Sequence, residues 1–101
     1  MSRPKPRRRP RTEIGPLPTF GAAIAERRHA LGLTQLDVAD LADVGLSSVR
    51  TLEAGQASLT LAITLRILDA LGLALVSMPH TDARALPGSA IELRTIREEQ
   101  P

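Results

Sequence analysis

Basic side chains are the groups in this sequence most able to do chemistry, and they are unevenly distributed. Six of them lie within the first eleven residues, with no acid among them: Arg3, Lys5, Arg7, Arg8, Arg9 and Arg11. Residues 12–101 hold seven basic and eleven acidic side chains, a net formal charge of −4. A basic arm on a mildly acidic body favours nucleic-acid binding, with the six cations on DNA phosphates. A solubilising tail is the alternative interpretation.

Other kinds of chemistry find little support. There is no cysteine, so disulfides and thiolate metal sites are excluded. His29 and His80 stand alone, without a second ligand at metal-binding spacing, and Ser47 and Ser48 have no histidine base nearby. We therefore expect no metal, no cofactor and no enzyme activity. No apolar run approaches the roughly 20 residues that span a membrane, and none follows the basic start. We expect a cytoplasmic, nucleoid-associated protein without a membrane partner.

The composition predicts an all-α fold in one small domain. Hydrophobic residues make up 43% of the 101 residues, but Phe20 is the only aromatic one, which favours closely packed helices. Residues 1–16 contain four prolines among arginines and are expected to be a disordered arm. Residues 17–78 form the predicted domain, and residues 79–101, without a convincing period, a flexible tail.

Four helices are expected within residues 17–78. The first starts at Leu17 and ends at Gly32, with one apolar face of Leu17, Phe20, Ile24 and Leu31. The second is opened by Thr34 and Asp37, which are spaced as a capping box, and buries Val38, Ala39 and Ala42. The third runs from Leu46 to Glu53 and buries Val49 and Leu52. The fourth, from Thr60 to Leu71, has Leu61, Leu65, Leu68 and Leu71 along one side.

A short β-strand is expected after the fourth helix. Six mostly apolar residues, 73–78, lie between Gly72 and Pro79, which leaves too little room for a stable helix. A lone strand leaves its backbone donors unpaired, so two copies are expected to pair antiparallel in a homodimer. The strand positions named for this contact are Leu73, Leu75, Val76 and Met78.

The second and third predicted helices, joined by a tight turn, describe a helix-turn-helix. The stretch Leu31-Gly-Leu-Thr-Gln-Leu-Asp-Val-Ala39, followed without a gap by Leu52-Glu53-x-Gly55, resembles the lambda-repressor-like (XRE) family. The resemblance implies a lambda-repressor-like fold that binds double-stranded operator DNA, with the third helix in the major groove. It assigns a phosphate contact to Gln35 and an ion pair to Arg28 and Glu53. The base-reading positions would be Gly45, Leu46, Ser47, Arg50 and Thr51.

Two positions depart from the family pattern. Asp43 stands where the family has a turn glycine, and aspartate adopts the left-handed conformation at modest cost. Gly45 stands where a polar cap of the recognition helix is usual, which makes the cap weaker. Only four basic residues lie between Leu17 and Met78, so affinity is expected to depend on the arm.

A narrower resemblance concerns residues 60–73. Thr60-Leu, Ile67-Leu, Leu71 and Leu73, followed by a strand instead of a fifth helix, are similar to HipB-type antitoxins. This implies a repressor that controls its own operon and neutralises a HipA-like Ser/Thr kinase toxin. The alternative is a stand-alone XRE-family transcriptional regulator with no toxin partner. Leu36 and Leu41, expected at the surface, could contact such a partner. Residues 81–101 of the tail, which carry Ile91, Leu93 and Ile96, are expected to contact the toxin or the neighbouring subunit.

Overall fold

The computed structural model describes residues 17–93, and within them the chain forms five α-helices and no strand. They are α1 (Leu17–Ala30), α2 (Gln35–Ala42), α3 (Leu46–Glu53), α4 (Leu61–Ala70) and the single-turn α5 (His80–Ala83). The all-helical prediction is confirmed for this part of the chain. The six basic side chains of the arm lie outside the described residues, as does Ile96 of the tail.

Local hydrogen bonds explain where α2 begins and ends. Thr34 Oγ1 accepts from the backbone N–H of Asp37 at 3.0 Å, and Asp37 Oδ2 accepts from the backbone N–H of Thr34 at 2.8 Å. The expected capping box is therefore present, and its hydrogen bonds with Thr34 lower the pKa of Asp37. At the other end, Asp43 takes the predicted left-handed conformation, with φ 57° and ψ 50°.

The core is formed where α1, α2, α3 and α4 meet. Its fully buried side chains are aliphatic: Ile24, Val38, Ala39, Ala42, Val49, Leu52, Ile67, Leu68 and Leu71. Phe20, Leu33 and Val44 are partly buried against it. The burial expected for α2 and α3 is thus confirmed, and Ala39 leaves room for the two helices to approach closely.

The predicted faces of α1 and α4 need correction. Leu61 and Leu65 are 63% and 42% exposed, because α4 is rotated so that Ile63 and Ile67 face the core instead. Both sets have helical spacing, so only packing against α2 distinguishes them. Leu31 is 44% exposed, because α1 ends at Ala30 and Leu31 belongs to the turn that follows.

The segment that follows α4 is an extended connection with few hydrogen bonds. Residues 73–79 have no regular secondary structure, and no backbone hydrogen bond joins residues 74–78 to another described residue. Leu75 and Val76 are 47% and 67% exposed. The sequence predicts a tail without structure, but α5 forms because Pro79 supplies a helix-compatible start and its carbonyl accepts from the N–H of Asp82 at 3.0 Å.

Candidate nucleic-acid interface

The unit α2–turn–α3 is built around a short connection of residues 43–45. The N–H of Val44 donates to the carbonyl of Ala39 at 3.0 Å, and Val49 on α3 is completely buried. Arg66 of α4 donates from Nη1 to the carbonyl of Asp43 at 3.3 Å. These contacts hold the angle between the two helices, so the exposed side of α3 is presented as a rigid surface.

That exposed side carries most of the predicted base-reading residues. Gly45, Ser47 and Arg50 are exposed, and Thr51 is half-buried. The guanidinium of Arg50 makes no hydrogen bond or ion pair with any residue of 17–93, so all its donors are available. An exposed arginine with free donors can bind the O6 and N7 atoms of guanine together. Leu46 differs from the others because its side chain is partly packed against the core.

Arg28 of α1 and Glu53 of α3 form a double hydrogen-bonded ion pair. Arg28 Nε lies 2.7 Å from Glu53 Oε2, and Arg28 Nη2 lies 3.0 Å from Oε1. A third donor, Nη1, reaches the carbonyl of Leu33 at 3.0 Å. The two side chains are only 10% and 8% exposed, so the pair joins α1 to the end of α3 with little screening by water.

This environment changes the acidity of both groups. Burial is the largest single influence on the pKa of Glu53 and raises it, but the hydrogen bonds from Arg28 and Gln35 and the positive charge of Arg28 together outweigh it. The pKa of Glu53 therefore lies below its ordinary value. The hydrogen bond to Glu53 in turn raises the pKa of Arg28, so the pair is fully charged at neutral pH.

Gln35 also contacts this pair, which the sequence did not indicate. Its Nε2 donates to Glu53 Oε1 at 2.9 Å, and the side chain is half-buried. The resemblance assigned Gln35 to a DNA phosphate and Glu53 to Arg28, two separate roles. Gln35 and Glu53 lie 18 residues apart, on different helices, so no local pattern could have connected them.

Two glycines allow α1 to approach the end of α3, and sequence reasoning missed the first. A Cβ on Gly21 would lie 2.6 Å from the carbonyl oxygens of both Leu52 and Glu53. A Cβ on Gly55 would lie 2.6 Å from the Cα of Pro18, and Gly55 has a φ of +76°. The only sequence signal at Gly21 is a glycine within a helical period, where it usually weakens a helix.

The charge of the described part is unfavourable for binding DNA without further cations. Residues 17–93 hold eight carboxylates and five arginines, a net formal charge of −3.

No cluster of three or more metal-binding side chains occurs within residues 17–93. No helix there is long and apolar enough to cross a membrane.

Comparison with known proteins agrees with this architecture. A family model described as a helix-turn-helix domain matches residues 19–80. Among solved structures, the chain is similar to the restriction-modification controller protein C.AhdI from Aeromonas hydrophila. The two share 34% sequence identity over 57% of this chain and 88% of that chain, with a TM-score of 0.53. No curated protein matches the chain.

Proposed function

The chain belongs to the helix-turn-helix domain family, in its lambda-repressor-like (XRE) form, and from this premise we propose that it is a sequence-specific repressor of transcription. The observation that supports sequence-specific binding is the free guanidinium of Arg50 on the exposed side of α3. Arg50 reads a guanine, Ser47 and Thr51 bond neighbouring base edges, and Gly45 lets the backbone approach the groove. Leu46 contributes at most an edge of its side chain to a thymine methyl.

Arg50→Ala tests this proposal. The wild-type chain is first used to select its preferred duplex from a random library, and binding is then measured by fluorescence anisotropy. We expect Arg50→Ala to lose about 1–3 kcal/mol on that duplex and to relax preference at one base pair. Arg84→Ala is the matched control, because Arg84 is also an arginine on the surface but lies outside the helix-turn-helix. Equal losses in both variants, with unchanged base preference, would contradict the proposal.

The basic arm supplies the phosphate contacts that the domain lacks. This part of the proposal is supported by the six cations of the first eleven residues and by the negative net charge of residues 17–93. Deleting residues 1–11 is expected to weaken binding to all duplexes and to flatten its salt dependence by about 0.9 in slope for each phosphate that the arm no longer neutralises. An unchanged slope would make the arm a solubilising tail.

The regulator acts as a homodimer joined by residues 73–78. The proposal is supported by the unbonded backbone of residues 74–78 and by the exposed side chains of Leu75 and Val76. Two copies paired antiparallel would bond these groups, with Leu73 and Met78 at the ends of the ladder. Val76→Pro is expected to shift the chain toward monomer in analytical ultracentrifugation, whereas Val76→Ala, which keeps the N–H, remains dimeric. A dimeric Val76→Pro variant would exclude strand pairing.

Two more specific roles follow from an operator-binding dimer. The first is a HipB-type antitoxin that represses its own operon and holds a HipA-like kinase toxin inactive. The short α5 in place of a long fifth helix supports it, and so do the exposed leucines of α2, Leu36 and Leu41, which are 55% and 62% exposed. The second is a stand-alone regulator without a toxin partner. The similarity to a restriction-modification controller protein favours this second role.

Co-purification distinguishes the two roles. The chain is co-expressed with the product of the neighbouring reading frame, and capture of a kinase-like protein supports the antitoxin. Truncation after Met78 shows whether the tail takes part: we expect toxin capture to be lost and operator binding to be kept. A neighbouring restriction or modification gene, and no capture, would support the stand-alone regulator.

A further inference from the structure

One carboxylate oxygen at the end of α3 accepts hydrogen bonds from two other helices, α1 and α2. Glu53 Oε1 accepts from Arg28 Nη2 at 3.0 Å and from Gln35 Nε2 at 2.9 Å. The other oxygen, Oε2, is taken by Arg28 Nε at 2.7 Å. The carboxylate that fastens α1 to α3 therefore also holds the side chain of the first residue of α2.

This contact determines how Gln35 is oriented. An ionised carboxylate only accepts hydrogen bonds, so the amide nitrogen of Gln35 must face Glu53 and its oxygen must face away. Nε2 keeps a second N–H that Glu53 does not use, and that N–H can donate to a DNA phosphate. A free glutamine side chain would have to be ordered when DNA binds, which costs entropy that a side chain already held in place avoids.

We propose that Gln35 contacts a DNA phosphate and that Glu53 is the positioning residue for this contact, so that the end of α3 and the start of α2 engage DNA as one unit. The inference rests on the proposed function, since operator DNA is its ligand. Arg28 supports the same arrangement from α1, because its guanidinium holds the carboxylate from the other side.

A double-mutant cycle on the full chain tests the proposal. Gln35→Met keeps the length of the side chain and removes its hydrogen bonds. Glu53→Gln removes the charge and leaves a single acceptor oxygen, which cannot serve Arg28 Nε, Arg28 Nη2 and Gln35 together. The probe is the fluorescent duplex selected by the wild-type chain, and each variant is measured at a temperature where circular dichroism shows it folded.

We expect Gln35→Met to weaken binding at least about tenfold in the wild-type background, the range of a single hydrogen bond to a charged group. In the Glu53→Gln background the same change is expected to weaken binding less than about twofold. Glu26→Gln is the matched control, because Glu26 is a carboxylate of α1 whose loss changes the net charge equally. In that background the effect of Gln35→Met remains as large as in the wild type.

The outcomes separate the possible failures. Equal effects of Gln35→Met in the wild-type and Glu53→Gln backgrounds would overturn the positioning role. No effect in the wild type would remove Gln35 from the interface. If the wild-type chain selects no duplex, the proposed function itself fails. If Glu53→Gln does not fold, the side-chain amide of Gln35 is followed by NMR in the wild type. An amide that is rigid in the free protein and stays rigid when DNA binds supports the proposal. An amide that is mobile in the free protein overturns it.

Discussion

Helices α2 and α3 have the same length, eight residues each, but they are held in place differently. Helix α2 begins at a complete capping box and ends at a left-handed Asp43, so its ends are fixed by neighbouring residues in the chain. Helix α3 begins at Gly45, which provides no side-chain hydrogen bond. Its other end is closed locally by Gly55 and Gln56, whose N–H groups donate to the carbonyls of Leu52 and Thr51. The position of this end against α1 and α2 is fixed from a distance, by Arg28 and Gln35 on Glu53 and by the close approach of Gly21.

The difference shows which part of the molecule depends on the whole fold. The limits of α2 are set by capping residues next to it in the sequence. The position of α3, which carries the proposed base-reading residues, depends on contacts with α1 that only the folded domain provides. Breaking the distant contacts should therefore cost more than breaking the local ones.

The largest effect is expected from Glu53→Ala. The change leaves Arg28 buried without a counter-charge, which typically costs about 3–5 kcal/mol. Urea unfolding followed by circular dichroism measures the free energy of unfolding. Glu26→Ala, at another carboxylate of the same charge, serves as the control and is expected to change it by less than about 0.5 kcal/mol. A similarly small change for Glu53→Ala would show that α3 does not depend on this pair.

Urea unfolding at a series of pH values tests the contribution of Glu53 in a second way. The pKa of Glu53 is lower in the folded chain than in the unfolded chain, so the folded state binds fewer protons. Its contribution to stability is therefore complete above about pH 4.3, the unfolded value, and is lost as the pH falls through the folded value. The Glu53→Gln variant lacks this loss but keeps the loss that Asp37 causes. The difference between the wild-type and Glu53→Gln curves of unfolding free energy against pH therefore isolates the contribution of Glu53. Parallel curves would contradict the assignment.

A smaller loss is expected from Gly21→Ala. In an open helix this change would stabilise by up to about 1 kcal/mol, but here the new Cβ meets two backbone carbonyl oxygens. Moving α1 away from α3 is expected to cost about 1–3 kcal/mol. Gly88→Ala is the control, since a Cβ there meets nothing within 4 Å. A stabilised Gly21→Ala variant would mean that α1 and α3 can separate freely.

Removing the local cap should cost less again. Thr34→Ala deletes the acceptor for the N–H of Asp37 and is expected to lower the free energy of unfolding by about 1 kcal/mol. Thr19→Ala, at an exposed threonine in the first turn of α1, controls for the loss of a hydroxyl. If Thr34→Ala cost as much as Glu53→Ala, the contrast between local and distant fixation would not hold.

The smallest effect is a gain from Gly45→Ser. Gly45 has φ −73° and ψ 152°, which serine adopts without strain, and its nearest neighbour to a new Cβ is Ser47 Oγ at 3.8 Å. The new hydroxyl can cap α3 and is expected to add a few tenths of a kcal/mol. Differential scanning calorimetry would detect a slightly higher Tm, with Gly45→Ala as the variant that lacks the hydroxyl. No difference between the two would show that α3 gains nothing from a cap.

What the sequence could predict follows the same division. The limits of α2 and α3 are predictable because Thr34, Asp37 and Gly55 act on their immediate neighbours. The buried side of α4 is not, because leucines and isoleucines share its periodicity and only packing selects between them. Gly21 and the bond between Gln35 and Glu53 escape sequence reasoning because each depends on residues brought together by folding. The pairing of residues 73–78 stays a prediction.

The contact between Pro18 and Gly55 has a consequence for the basic arm. Since α1 begins against Gly55, the second residue after α3, any chain before Leu17 starts beside the end of α3. Arg11 is six residues before Leu17 in the sequence, and a six-residue stretch spans at most about 20 Å, since an extended chain spans about 3.3–3.6 Å per residue. In the proposed complex, in which α3 binds a duplex, the arm would be tethered beside that duplex and its cations would act at a high effective concentration. Lengthening the tether would dilute them without removing a single charge.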